Sequence, residues 1–337
     1  MDRSLHTFLQ RFSKSDLLRI QRGMKIESNF VHSKPEMIRN MADFILNRDA
    51  AYVRLMNGSS RETALLRKCI ESDQSVTVEN TSDFRYYAQC GYCYLSKESK
   101  LLVPDEVAVL FRETVTDEFE RKQRRYWLLR NYISAAVNLY VFISPEDLLC
   151  LFNSQNNEAT SEKEILETHY RMRFRDPAAR IYDGKLTDKR LVENEDAEAI
   201  YEALRHRQEG KPFYLPPKKI FIQYADEGFF EKGAETEAVR FYLRQQYGLK
   251  DGDAAELLAD IRYCIYAGGD IREVFGILRE EGIIPTKQEQ VVIERLLVDL
   301  CNHTRLPENR GFTPMEIFGY ERKRHVAGGK VIPFKRH

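Results

Sequence analysis

The 337-residue chain contains no apolar run approaching the roughly 20 residues of a membrane-spanning helix, which excludes an α-helical membrane protein. Its opening, Met1-Asp2-Arg3-Ser4-Leu5-His6, lacks the apolar stretch and small-residue cleavage site of a secretory signal, so the cytoplasm is the expected compartment. It also lacks net charge, with 52 basic against 52 acidic side chains. A basic excess would argue for a nucleic-acid partner, and the total gives none. No G-x-S-x-G, H-E-x-x-H, Walker A or G-x-G-x-x-G sequence occurs. No spacing of Asp and Glu singles out an acid–base pair. The expectation is a protein with no catalytic residue and no cofactor.

Paired cysteines are scarce. Cys69, Cys90, Cys93, Cys150, Cys264 and Cys301 are scattered, and Cys90-Gly91-Tyr92-Cys93 is the lone C-x2-C. A structural zinc site needs four ligands, usually from two such pairs, and a redox C-x2-C needs a βαβ setting that this pattern lacks. Cys301 and His303 lie two apart at the end of a predicted helix, where side chains do not face each other. No metal is expected, and six free thiols suit a reducing compartment.

What is present is globular material: 43% hydrophobic, 31% charged and 11% aromatic residues, over a length that suggests two or three domains. Leu5, Phe8, Leu9 and Phe12 share one helical face. Ser13 starts a second helix ending near Gly23, an extended stretch is expected from Met24 to Val31, and Ser33-Lys34-Pro35-Glu36 is a capping box opening a third helix. Residues 61–70 read as a helix, Ser75 to Val78 as a strand, and residues 81–90 as a short helix. Tyr92 to Leu95 and Leu101 to Val103 then form a hairpin, and a helix opens at Pro104. Helix, strand, helix, hairpin is the order of a winged helix. The order returns loosely with a helix over 126–140, helices begun by Ser144 and by Ser161-x-x-Glu164, and a hairpin about Asp183-Gly184. A helix follows over 195–207, and a loop carrying Pro212, Pro216 and Pro217 runs into Ile220. Further helices are expected over 235–247, 254–267, 271–281 and 287–302, stopped by Gly248, Gly268-Gly269 and Gly282.

The predicted fold is mainly α, with a helix-extended-helix start, two winged-helix-like units with small β-hairpins, and a C-terminal helical bundle. The expected segments are 1–46, 47–116, 117–230 and 231–318, with a basic, mobile tail over 319–337.

Charge is uneven along the chain. Residues 251–300 hold 5 basic and 11 acidic side chains, and residues 319–337 hold 6 basic and 1 acidic. Basic clusters bind phosphate backbones by neutralisation and counterion release. The candidates are Arg121, Lys122, Arg124 and Arg125; Arg171, Arg173 and Arg175; and Arg322, Lys323 and Arg324 in the tail. The bland reading of any one cluster is a solvated helix face. Arg85 falls in the helix that a DNA-binding winged helix places in the major groove. Its neighbours Asp83, Phe84, Tyr86 and Tyr87 suit packing equally well.

The first 46 residues resemble SAP-like and Rho-N-terminal-like modules through Ser15-Asp16-Leu17-Leu18, Ile26 and Ser33-Lys34-Pro35-Glu36-Met37-Ile38. Such modules are often associated with nucleic acid. Tyr214-Leu215-Pro216-Pro217-Lys218-Lys219, Tyr224-Ala225-Asp226-Glu227, Asn302-His303-Thr304-Arg305 and Gly311 to Ile317 extend the likeness. Together these segments resemble an uncharacterised bacterial family that joins this start to winged-helix and helical segments. Some members end in a cysteine-rich SEC-C zinc tail, and no cysteine follows Cys301 here. Asn302 to Ile317 is also similar to the closing segment of integrase-type transposases, which need a mixed sheet where this chain reads as helical. That family brings no established activity; the SAP-like start, the winged-helix-like units and the basic segments point to a non-enzymatic, nucleic-acid-associated and regulatory protein with DNA or RNA as partner. Zero net charge favours the alternative, a protein–protein interaction module on winged-helix scaffolds. An enzyme with an unrecognised site ranks third.

Overall fold

The structure, a computed structural model, describes residues 2–23, 33–72, 75–78, 80–96, 98–175 and 177–326. Its helices are α1 (Leu5–Gln10), α2 (Lys14–Gly23), α3 (Lys34–Leu46), α4 (Arg48–Asn57), α5 (Ser60–Glu71), α6 (Arg85–Gln89), α7 (Asp105–Thr114), α8 (Asp117–Tyr140) and α9 (Pro145–Gln155). They continue with α10 (Glu162–Met172), α11 (Lys189–Val192), α12 (Ala197–Gln208), α13 (Lys218–Phe221), α14 (Ala234–Tyr247), α15 (Asp251–Tyr266), α16 (Ile271–Glu280), α17 (Lys287–Asn302) and α18 (Pro314–Val326). The strands are β1 (Ser75–Thr77), β2 (Tyr94–Leu95), β3 (Lys100–Leu102), β4 (Phe142–Ile143), β5 (Ala179–Tyr182) and β6 (Lys185–Asp188). The protein is therefore mainly helical, with two small antiparallel sheets. Both sheets put the last strand in the middle, in the orders β1-β3-β2 and β4-β6-β5. Among the described residues no helix is long and apolar enough to cross a membrane.

The chain divides into two compact units. Unit 1 holds residues 1–130 and 163–177, and unit 2 holds 131–162 and 178–337. The division passes through α8 and through the segment 117–230 expected as one piece. Unit 1 carries 26 basic and 21 acidic side chains, a net +5; unit 2 carries 26 and 31, a net −5. The zero total thus conceals two opposite charges.

In unit 1 the amphipathic starts behave as their spacing predicts. Leu5, Phe8 and Leu9 of α1 are buried with Met37, Ile38, Met41 and Ile45 of α3. Phe8 stacks on Tyr94 of β2 at 5.1 Å. The α3 capping box of Ser33 and Glu36 forms. The extended link expected over 24–31 lies outside the described residues. Thr81 to Cys90 is a 3-10 turn followed by α6, shorter than the single helix expected. The helix expected over 126–140 starts nine residues earlier, at Asp117. Acidic side chains fill its first turn, where they complement the helix dipole, and Glu118 meets Lys122 at 2.7 Å one turn on.

Helix α4 escaped the sequence reading, and it organises this unit. It ends at an extended Gly58, leaving carbonyls without helical partners. Donors from elsewhere satisfy them. The Tyr86 hydroxyl donates to the Arg54 carbonyl at 3.0 Å, and the Tyr87 hydroxyl to that of Leu55 at 3.2 Å. Buried Gln123 of α8 donates to Leu55 and Gly58 carbonyls at 2.8 and 2.9 Å, and Trp127 donates to Gly58 at 2.7 Å. Gly58 must be glycine, because a Cβ there would lie 1.9 Å from the Tyr87 hydroxyl.

Unit 2 combines the second sheet with the helices from α14 onward. Hairpin β5–β6 turns at Asp183-Gly184, both at positive φ, as that pair favours. Strand β4, two residues long, pairs with β6 and carried no readable sequence signal. Val239 and Leu243 of α14, Ile261 of α15, Leu278 of α16 and Ile293, Leu297 and Leu300 of α17 share one core. The predicted glycine stops Gly248, Gly268 and Gly282 all take positive φ. Helix α18 carries the chain as helix through Val326, into the stretch expected as a mobile tail from residue 319.

Candidate functional site

The sequence-predicted basic residues fall into three groups once folded. Arg121, Lys122, Gln123, Arg124 and Arg125 occupy successive positions of α8, so the helix turns them to different sides. Gln123 points inward and is 2% exposed. Arg121 is exposed with no ion pair among the described residues. Lys122 is exposed beside Glu118, which pushes its pKa up through a hydrogen bond and charge. Arg124 stands 3.9 Å from Glu120 and is 66% exposed. Arg125, one turn on from Arg121 and on the same face, is only part-exposed and grips Glu164 of α10 with two bonds, Nε at 3.0 Å and Nη2 at 2.9 Å. That fork joins two basic segments 39 residues apart in sequence.

Alongside α8, the end of α10 carries Arg171, which meets Glu167 at 4.0 Å. Its guanidinium is close enough to act electrostatically on the Tyr126 hydroxyl of α8, whose pKa burial raises. Just beyond α10, the Arg173 guanidinium lies 3.6 Å from the centre of the Tyr170 ring, and Tyr170 is 56% exposed. An exposed cation on an exposed aromatic is a combination suited to stacking and phosphate contact.

Arg175 departs from the prediction. Its guanidinium bonds Glu62, with Nη1 at 2.5 Å and Nη2 at 3.3 Å, and donates to the Asn57 carbonyl at 2.9 Å. Glu62 is 3% exposed and also closes the α5 capping box with Ser59. Arg175 is therefore a packing residue of unit 1, not a surface contact, because a buried carboxylate demands a cation. Arg125 is likewise committed, to Glu164. Arg85 opens α6, five residues long; it is exposed, while Tyr86 and Tyr87 are buried and packed. Arg322, Lys323 and Arg324 lie in the last turns of α18, and their side chains lie outside the described residues, as do residues 327–337 entirely.

The cysteines carry no reactive thiolate in unit 1. Burial pushes Cys69 and Cys90 up to about 11 and Cys93 well above its ordinary value. Such thiols stay protonated at neutral pH, which suits packing better than metal binding or nucleophilic attack. Among the described residues no three His, Cys, Asp or Glu side chains are disposed to hold a metal.

A second site, in unit 2, was not read as a site from the sequence, although Tyr224, Asp226, Glu227, His303 and Arg305 of its lining fall in segments that carry the family resemblance. Asn138 of α8, Arg190 of α11, Tyr224, Phe230 and Glu231 of the segment before α14, Arg262 and Tyr266 of α15, and Arg305 after α17 line a cleft. Arg305 forks onto Glu231 at 2.8 and 3.1 Å and reaches Glu316 at 2.8 Å. The Tyr224 hydroxyl donates to Glu231 at 2.8 Å. These parts come from segments far apart in sequence, and no single motif could announce them.

No protein-family profile, curated protein or solved structure matches this chain.

Proposed function

We propose that the protein is a non-enzymatic, nucleic-acid-associated protein whose contact surface is the basic ridge of α8 and α10 in unit 1. The observation that carries this reading is the Arg125–Glu164 fork. It ties exposed Arg121, Lys122 and Arg124 to the helix bearing Arg171 and the Tyr170–Arg173 stack. The net +5 of unit 1 supports it, since a polyanion responds to local charge as well as to the total. Exposed Tyr170, with Arg173 stacked on its ring, offers a cation–aromatic pair that an unpaired base can stack beside, so single strands suit the ridge better than sequence readout in a duplex groove. In each sheet the first strand pairs beside a later hairpin, an arrangement that supports a winged-helix-like reading of both regions. Under that reading the SAP-like start adds a further nucleic-acid module. The cytoplasm is the compartment this function suits.

The test is binding of fluorescently labelled single-stranded DNA and RNA across a salt series. Binding should weaken as salt rises, with a logarithmic slope of roughly −0.7 per phosphate contact. The triple variant Arg121→Gln/Lys122→Gln/Arg124→Gln should lose about two units of that slope, one contact per removed cation. Absence of binding at low salt would refute the reading and favour the protein-interaction alternative.

A further inference from the structure

Three arginines line the unit 2 cleft, and they are not equivalent. Arg305 is saturated by Glu231, Glu316 and the Gly311 carbonyl, and its guanidinium lies 3.4 Å from the centre of the Tyr214 ring. Arg190 is held by both oxygens of Asp188 and by Asn138, with Glu227 at 3.5 Å. Arg262 is 9% exposed, yet no carboxylate lies within ion-pairing distance of it among the described residues. Its one hydrogen bond runs from Nη2 to the neutral carbonyl of Glu231, at 2.7 Å, and its Nε is buried without a partner. Burial pushes this guanidinium down to about 10, with the nearby Glu231 charge working in the opposite direction. At neutral pH the cleft therefore contains a buried, still charged fork with donors to spare. Leaving such a group unpaired is costly, and in a folded protein it marks a place where a counter-charge arrives.

The surroundings narrow the chemistry. The Phe230 ring covers the guanidinium at 4.5 Å, and Tyr266 stands edge-on to Phe230 at 6.3 Å. Tyr224, Phe229 and Tyr263 complete an aromatic wall, with Tyr263 49% exposed. The inner space, open to solvent past half-exposed Tyr263, is about 50 Å³. That exceeds the roughly 10–15 Å³ a single water requires and suits a compact head group rather than a nucleotide. Asp226 and Glu227, both exposed, stand on the same lining. They repel a dianion more than a monoanion.

We propose that this cleft binds a small organic carboxylate, its two oxygens on the Arg262 fork and its apolar part against the aromatic wall. The planar guanidinium matches a carboxylate in a way that an ammonium does not. This site is independent of the basic ridge, and either assignment can fail alone.

The full chain is to be followed by thermal unfolding with benzoate, acetate and inorganic phosphate, in parallel with Arg262→Met, Arg262→Lys and the control Arg272→Gln. Arg272 is exposed on α16 and lies outside the cleft lining. Benzoate should raise the melting temperature of the wild type and of Arg272→Gln saturably, acetate less, and phosphate least. Arg262→Lys should need at least about tenfold more benzoate for the same rise, through loss of the bidentate fork. Arg262→Met should fold at least as stably as the wild type, because a buried unpaired charge has been removed, and should ignore benzoate. Three results would overturn the assignment: a wild type indifferent to benzoate, a benzoate response surviving in Arg262→Met, or a response to phosphate equal to that to benzoate.

Discussion

In unit 1 the Arg175 guanidinium closes on Glu62, a carboxylate 3% exposed, and both partners find further bonds to backbone and cap. In unit 2 the Arg262 guanidinium is more deeply buried, and among the described residues it has the Phe230 ring and one neutral carbonyl but no carboxylate in ion-pairing distance. The same side chain is thus a closed structural element in one unit and an open one in the other. Burial alone therefore says little about an arginine's role. Its complement of carboxylates says more, because a buried ion pair is self-sufficient and a lone buried ion is not.

The largest expected effect comes from breaking the closed pair. Arg175→Met leaves Glu62 charged and buried beside Asn57 and Tyr86, and should cost about 3–5 kcal/mol of unfolding free energy. A urea titration reads this as a lower midpoint at unchanged slope. Adding Glu62→Gln to Arg175→Met removes the stranded charge while keeping a side chain able to complete the Ser59 capping box. Most of the loss should return. A single variant as stable as the wild type would erase the contrast between the two arginines.

Next in size is Gln123→Leu, which keeps the volume and removes donors to the Leu55 and Gly58 carbonyls. Each carbonyl keeps another partner, from Tyr87 and Trp127, so the expected cost is about 1–2 kcal/mol. A loss below about 0.5 kcal/mol would mean that the remaining donors suffice.

In unit 2 the closed counterpart is Glu231 with Arg305, and its signature is in pH. Burial works to raise the Glu231 carboxyl, yet hydrogen bonds from Arg305 and Tyr224 outweigh it and hold the group below its ordinary 4.5. A depressed folded-state pKa contributes stability above the unfolded value, and that stability disappears as pH falls through the folded value. The gap in urea midpoint between wild type and Glu231→Gln should therefore be constant near neutrality and shrink below about pH 4.5. A gap that widens in acid would reverse the sign of the coupling and separate Glu231 from Arg305.

How much of this was legible depends on sequence distance. The three glycine stops and the span of α17 follow from periodicity and left-handed backbone alone, and all are local. The basic run of α8 was readable as charge. Its division into an inward Gln123, a stapled Arg125 and an outward remainder was not, because the partners are Leu55, Gly58 and Glu164. Helix α4 was missed for the same reason, since its carbonyls are satisfied by residues 32 to 118 positions away. Arg262 lies furthest from legibility. It sits in an ordinary amphipathic helix, and only the fold shows that among the described residues no carboxylate lies within ion-pairing distance of it.

The smallest stability effect should accompany the sharpest functional one. Arg121, Lys122 and Arg124 are exposed, and the two pairs they make, with Glu118 and Glu120, are single-turn surface contacts. Such solvent-screened pairs contribute little to stability. The triple variant Arg121→Gln/Lys122→Gln/Arg124→Gln should therefore unfold at a urea midpoint close to that of the wild type, even though it is expected to lose most affinity for single-stranded nucleic acid. If stability and binding fall together, the ridge belongs with Arg175 as packing, and the outward cations are part of the scaffold. If stability stays level and binding falls, unit 1 contains both kinds of arginine on the same helix pair, with Arg125 as the staple and its neighbours free to meet a phosphate backbone.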